Sequence, residues 1–169
     1  MRETTVTSEI FSIHSADPNS SDAQNLLDEL TAMKSLFGPV DSRRPFASFT
    51  LPGRSIILLV RDSTGVPFGC GAFVPAGHYV AEVTGPYCRL DREEVNEAVL
   101  HRLETSAAQF GFIALNVEVN VWNRRMFAFY QAQGFLSITT SVEHRARPEA
   151  SRLQKRLGQE ARCFRSLLS

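Results

Sequence analysis

The chain has no excess of charge of either sign: Lys+Arg and Asp+Glu are both 18, a formal net charge of zero. That argues against a general nucleic-acid binder, which needs basic excess to release phosphate counterions. Cysteine is scarce. Cys70, Cys88 and Cys163 are too few and too scattered for a disulfide framework or a zinc site, so no metal is expected and each thiol reads as a small buried apolar group. Met1 to Phe11 has no apolar core of a secretory signal. The longest aliphatic run, Ile56 to Val60, is far too short to span a bilayer. A cytoplasmic protein without membrane association is the resulting expectation. Internal repeats and low-complexity tracts are also missing.

What remains is a chain of 169 residues, long enough for a single domain, 1–169, with a real core. Glu9–His14 reads as a strand. Ser21 and Gln24 fit a capping box before a helix whose apolar positions are Ala23, Leu26, Leu27, Leu30, Met33 and Phe37. Gly38-Pro39 ends it. Val40 to Gly53 reads as loop. Ser55–Asp62, Val66–Pro75 and His78 to about Cys88 read as three successive strands, with a bulge expected at Gly85-Pro86 because proline cannot donate to a ladder. Asp91 and Glu94 are expected to cap the next helix, which Gly111 closes. Phe112–Val121 alternates, with Ile113, Leu115, Val117, Val119 and Val121 on one side and Asn116, Glu118, Asn120 and Trp122 on the other. A helix from Asn123 to Gly134, a strand Phe135–Val142, a short basic helix Pro148–Leu157 and a last strand Ala161–Leu168 complete the order. The fold class is α/β (α+β): one mixed, mostly antiparallel sheet with helices on both faces.

The segment from Glu118 to Phe135 carries most of the chemistry. It places Glu118 on a strand, Asn123 at a helix start, and Tyr130 near a helix end that Gly134-Phe135 terminates. This spacing, with the strand order, resembles the GCN5-related N-acetyltransferase superfamily over nearly the whole chain. Glu118-Val-Asn-Val-Trp-Asn123 is similar to a segment of the alanine N-acetyltransferases that act on ribosomal proteins. The resemblance implies direct transfer of an acetyl group from acetyl-CoA, the co-substrate, to a primary amine of a small molecule or protein N-terminus. It also implies a splayed central strand whose edge at Tyr87, Cys88 and Arg89 pairs with pantetheine. Tyr130 is then the acid for the leaving thiolate, and Asn123 a cofactor contact. Glu118 and Glu82 compete as the base. For Tyr130 and Asn123 the plain alternatives are a packed ring and a helix cap.

One element departs from the resemblance. The family's pyrophosphate loop, Gln/Arg-x-x-Gly-x-Gly/Ala, lets backbone amides close on phosphate. Here Glu94 and Asn96 stand at the glycine positions, and Asp91, Glu93 and Glu97 crowd the same turns. A like-charge contact at about 4 Å costs near 1 kcal/mol even in water. Arg89 and Arg92 are expected to offset part of this, and Asn96 to accept a phosphate. A non-catalytic binding protein with weakened CoA binding is therefore the alternative reading. The basic stretch 145–160 reads as an inserted helix before the last strand, solvated rather than nucleic-acid binding. Arg43, Arg44, Phe46 and Phe49 are candidates for the acceptor's surroundings. A homodimer is compatible with the sequence.

Overall fold

The structure, a computed structural model, describes residues 10–37, 53–138 and 150–158. The elements run β1 (Phe11–Ser15), α1 (Ser21–Ser35), β2 (Ile56–Asp62), β3 (Pro67–Pro75), β4 (Val80–Cys88), α2 (Glu93–Gln109), β5 (Ala114–Asn120), α3 (Arg124–Ala132), β6 (Leu136–Ile138) and β7 (Ala150–Arg156). The seven strands form one sheet in the order β1-β2-β3-β4-β5-β7-β6. Only the central β4–β5 pair is parallel. The mixed, mostly antiparallel sheet read from the sequence is the one observed.

Both faces of the sheet are covered, because successive side chains on a strand point to opposite sides. Ile57, Leu59, Cys70 and Ala72 meet Ala23, Leu26, Leu27 and Leu30 of α1. Leu58, Val60, Phe73, Val83, Leu115 and Val117 meet Val95, Val99, Leu100 and Leu103 of α2, with Phe129 and Tyr130 of α3. Gly71 lets α2 approach the sheet closely. A Cβ there would lie 2.6 Å from Val99 Cγ1. Cys70 and Cys88 are buried free thiols, as their apolar reading expects. None of the described helices is long and apolar enough to cross a membrane.

Three local expectations are corrected. Ser20, not Ser21, caps α1: its hydroxyl accepts from the amide of Ala23 at 3.2 Å, while Gln24 turns back to the carbonyl of Pro18. Neither Asp91 nor Glu94 caps α2, whose N-cap position is Arg92 with no side-chain cap bond. Over Ala150–Arg156 the expected basic helix is instead strand β7, lying between β5 and β6. Pro148 and Gly158 look like helix punctuation, and Leu153 and Leu157 are four residues apart, but within Ala150–Arg156 Leu153 is the one buried side chain. The segment's alternation suits a strand. Arg152 and Gln154 face Glu118 and Asn116 across the ladder, and Gln154 donates to Asn116 Oδ1 at 2.8 Å. The loop 40–52, the later part of the expected strand Phe135–Val142, and the strand Ala161–Leu168 lie outside the described residues, as do Arg43, Arg44, Phe46, Phe49 and Cys163.

Candidate active site

The site begins where β4 and β5 part. Their pairing covers Val80↔Ala114, Ala81↔Leu115 and Glu82↔Asn116, while β4 continues to Cys88 and β5 to Asn120. On its other side β4 stays with β3, but Gly85 and Pro86 together oppose Gly71, between the pairs Ala72↔Thr84 and Cys70↔Tyr87. This is the bulge expected at Gly85-Pro86. A bulge bends its strand and increases its twist, which turns the far half of β4 away from β5.

Tyr130 enters this gap from α3. Its hydroxyl donates to the carbonyl oxygen of Gly85. The side chain is 3% exposed, and burial, with the charge of Glu82 second, pushes the phenol well above its ordinary value. Tyr130 is placed by the way α3 ends. The amide of Gly134 donates to Gln131 at 3.1 Å and that of Phe135 to Tyr130 at 3.0 Å. Gly134 has φ +93°, the left-handed conformation this ending requires. The Phe135 ring then packs edge-on against Tyr130, centroids 5.3 Å apart. The Tyr-Gly-Phe spacing is thus a helix-stop device as well as a candidate catalytic signature.

Glu82 lies on the last rung shared by β4 and β5, on the face covered by α1. Burial raises its carboxyl above the ordinary value. Arg152 opposes that shift, Glu118 adds to it, and Lys34 opposes it. Arg152 Nη2 lies 3.4 Å and 3.5 Å from the two Glu82 oxygens, a loose engagement. Glu118 projects from β5 on the same face, directly opposite Arg152 in the β5–β7 register. The two candidate bases therefore flank one guanidinium. A helix over this segment would not set Arg152 against Glu118; the strand register does.

The expected cofactor residues divide. Tyr87 and Arg89 point to α1, not to the gap. Glu29 accepts from the Tyr87 hydroxyl at 3.0 Å and from Arg89 Nη2 at 2.7 Å and Nε at 3.0 Å. Burial first, and this contact second, push the Tyr87 phenol up to about 12. Glu29 is a partner that the sequence reading missed, since its helix carried no motif. Cys88 Sγ accepts the amide of Arg92 at 3.0 Å. Arg92 Nε donates to Glu94 at 2.8 Å. Asn96 is buried, 5% exposed, and its Oδ1 has no hydrogen-bond partner among the described residues. Asn123 caps α3, its Oδ1 accepting the amide of Met126 at 3.3 Å, which is its plain reading.

Acetyl-CoA is the co-substrate expected from the resemblance in sequence. The unpaired half of β4, with a hydroxyl at Gly85, fits a pantetheine arm. The start of α2 does not fit a diphosphate: its arginines are engaged by Glu29 and Glu94.

No protein-family model matches the chain, and no curated protein does. Solved structures do. A Klebsiella pneumoniae protein assigned as an acyl-CoA N-acyltransferase superimposes with a TM-score of 0.73 at 22% identity, over 88% of this chain and 99% of that one. A GNAT-family acetyltransferase from Staphylococcus aureus gives 0.71 at 11% identity, over 88% and 100%. N-acetylglutamate synthase from Neisseria gonorrhoeae, complexed with coenzyme A and N-acetyl-glutamate, gives 0.65 at 14% identity, over 88% of this chain and 35% of that one. The chain has the fold of the GCN5-related N-acetyltransferases.

Proposed function

We propose that this protein is an N-acetyltransferase that moves an acetyl group from acetyl-CoA to a primary amine by direct attack on the thioester. The observation that carries the reading is the parting of β4 from β5, with Tyr130 at Gly85 on one side and Glu82 on the last shared rung. The thioester supplies an activated carbonyl; the chain supplies proton handling and position.

Glu82 is the favoured base. Only a free amine is nucleophilic, and a carboxyl raised by burial is a stronger base than an ordinary one. Glu118, on the same face, shares the task of holding the ammonium group or takes the proton itself. Arg152 limits how far the Glu82 carboxyl rises and keeps it oriented. Tyr130 stays protonated across neutral pH, so it has a hydrogen to offer. A thiolate leaving beside Gly85 would compete with that carbonyl for the hydrogen, and charge-assisted bonds are the stronger ones. Asn123 acts through α3, by fixing the helix that carries Tyr130.

The test is thiol release from acetyl-CoA with a panel of primary amines. Amine-dependent release that falls in Glu82→Gln and Tyr130→Phe supports the reading. No binding of millimolar acetyl-CoA to folded protein would sink it. The start of α2 favours a second reading, a binding protein of this fold without catalysis. Rapid turnover with any amine rules that out.

A further inference from the structure

Most amides of the first turn of α2 are already engaged within the chain. The amide of Asp91 donates to the Cys88 carbonyl at 3.1 Å, and that of Arg92 to Cys88 Sγ at 3.0 Å. The amide of Glu94 donates to its own carboxylate, which with Arg92 holds that carboxyl below its ordinary value. The amides of Val95 and Asn96 both turn to the Arg92 carbonyl at 3.1 Å. The nearby cations are engaged too. Arg92 pairs with Glu94, Arg125 with Asp91, and Arg89 with Glu29 and the Pro67 carbonyl. Glu93 and Glu94 place two further carboxylates at the positive end of the helix dipole. A diphosphate arriving here would find the amides of Arg92, Glu94, Val95 and Asn96 and the guanidinium groups of Arg89, Arg92 and Arg125 already engaged, and would meet like charge.

The pantetheine half of the site is different. Beyond Glu82 the β4 backbone is no longer paired with β5; on that stretch Gly85 accepts from Tyr130 and Cys88 from the amide of Asp91, and the rest of the edge faces the gap. We infer that the donor is recognised through its pantetheine arm alone, so that pantetheine thioesters lacking the nucleotide diphosphate serve as well as acetyl-CoA. This rests on the acetyltransferase reading and names its donor class. The transfer balances without a further reactant. The amine nitrogen forms a bond to the acyl carbon, the carbon–sulfur bond breaks, and the ammonium yields two protons, one to the base and then solvent and one to the leaving thiolate.

Two chemical sources share that class, a free pantetheine thioester and a phosphopantetheine arm on a carrier protein. Calorimetric titration of the full chain with CoA and with pantetheine tests the inference. The expected result is dissociation constants within about ten-fold of each other, with Glu94→Gln tightening CoA by about five- to ten-fold and leaving pantetheine unchanged. Glu94→Gly repeats the test with the side chain removed, and circular dichroism checks that both variants stay folded. CoA binding more than about ten-fold tighter than pantetheine in the unmodified chain overturns the inference and leaves the acetyltransferase reading standing. Binding of neither at millimolar concentration overturns both. A third titration, with an acyl-carrier protein bearing 4′-phosphopantetheine, separates the sources. Tighter binding than free pantetheine assigns the carrier, and equal or weaker binding the free thioester.

Discussion

Tyr130 has one hydrogen to donate, and here it goes to Gly85. Removing the hydroxyl leaves a buried carbonyl without that partner, a cost of about 1–3 kcal/mol. Tyr130→Phe should therefore lower the unfolding midpoint and, separately, lower kcat by about 10²-fold or more if the phenol is the acid. Denaturation and thiol-release assays on the same preparation distinguish the two effects. A purely structural tyrosine would change the first alone. Glu82 makes a pH prediction. Its folded carboxyl binds its proton more tightly than the unfolded one, so folding takes up a proton between the two values. The contribution of Glu82 to stability is fully present below the ordinary carboxylate value and is lost as pH rises through the raised one. Glu82→Gln should flatten this part of a denaturation-versus-pH curve and remove the acidic limb of the rate profile. An unchanged profile would move the base to Glu118.

At the scale of elements, two devices set the gap. The Schellman ending of α3 aims Tyr130, and the β4 bulge separates β4 from β5. Asn123→Ala removes the cap that starts α3 and should cost about 0.5–2 kcal/mol, measured by urea denaturation. Gly71→Ala should cost about 1–3 kcal/mol, because its Cβ would run into Val99 at 2.6 Å where α2 seats on the sheet. Much of this was legible in the sequence. Alternation in Phe112–Val121 separates buried Leu115, Val117 and Val119 from Glu118, although Ile113 and Val121, beyond the ends of β5, are exposed, and Gly85-Pro86 marks the bulge. What was not legible depended on partners distant in the chain. Ala150–Arg156 carries only one fully buried apolar side chain, so its local pattern could not reveal a strand. The open edge of β5 and the complementary Glu118 and Asn116 decide it. The same holds for Arg89. Its position suggested phosphate, and Glu29, 60 residues away, claims it instead.

Across the whole molecule the fold and the chemistry point to different halves of a donor. The sheet opens between β4 and β5, where the proposed pantetheine arm would lie, and Glu82, Glu118 and Tyr130, the proposed proton-handling groups, lie around that opening. The start of α2, some way along the same cleft wall, is closed by its own carboxylates and arginines. The most direct measurement is amine-dependent thiol release from acetyl-CoA and S-acetylpantetheine, followed side by side with the unmodified chain and with Tyr130→Phe and Glu82→Gln. The account predicts release from both donors at comparable kcat/KM, reduced by about 10²-fold or more in each variant. Absence of amine-dependent release from either donor, with the protein folded, would contradict it.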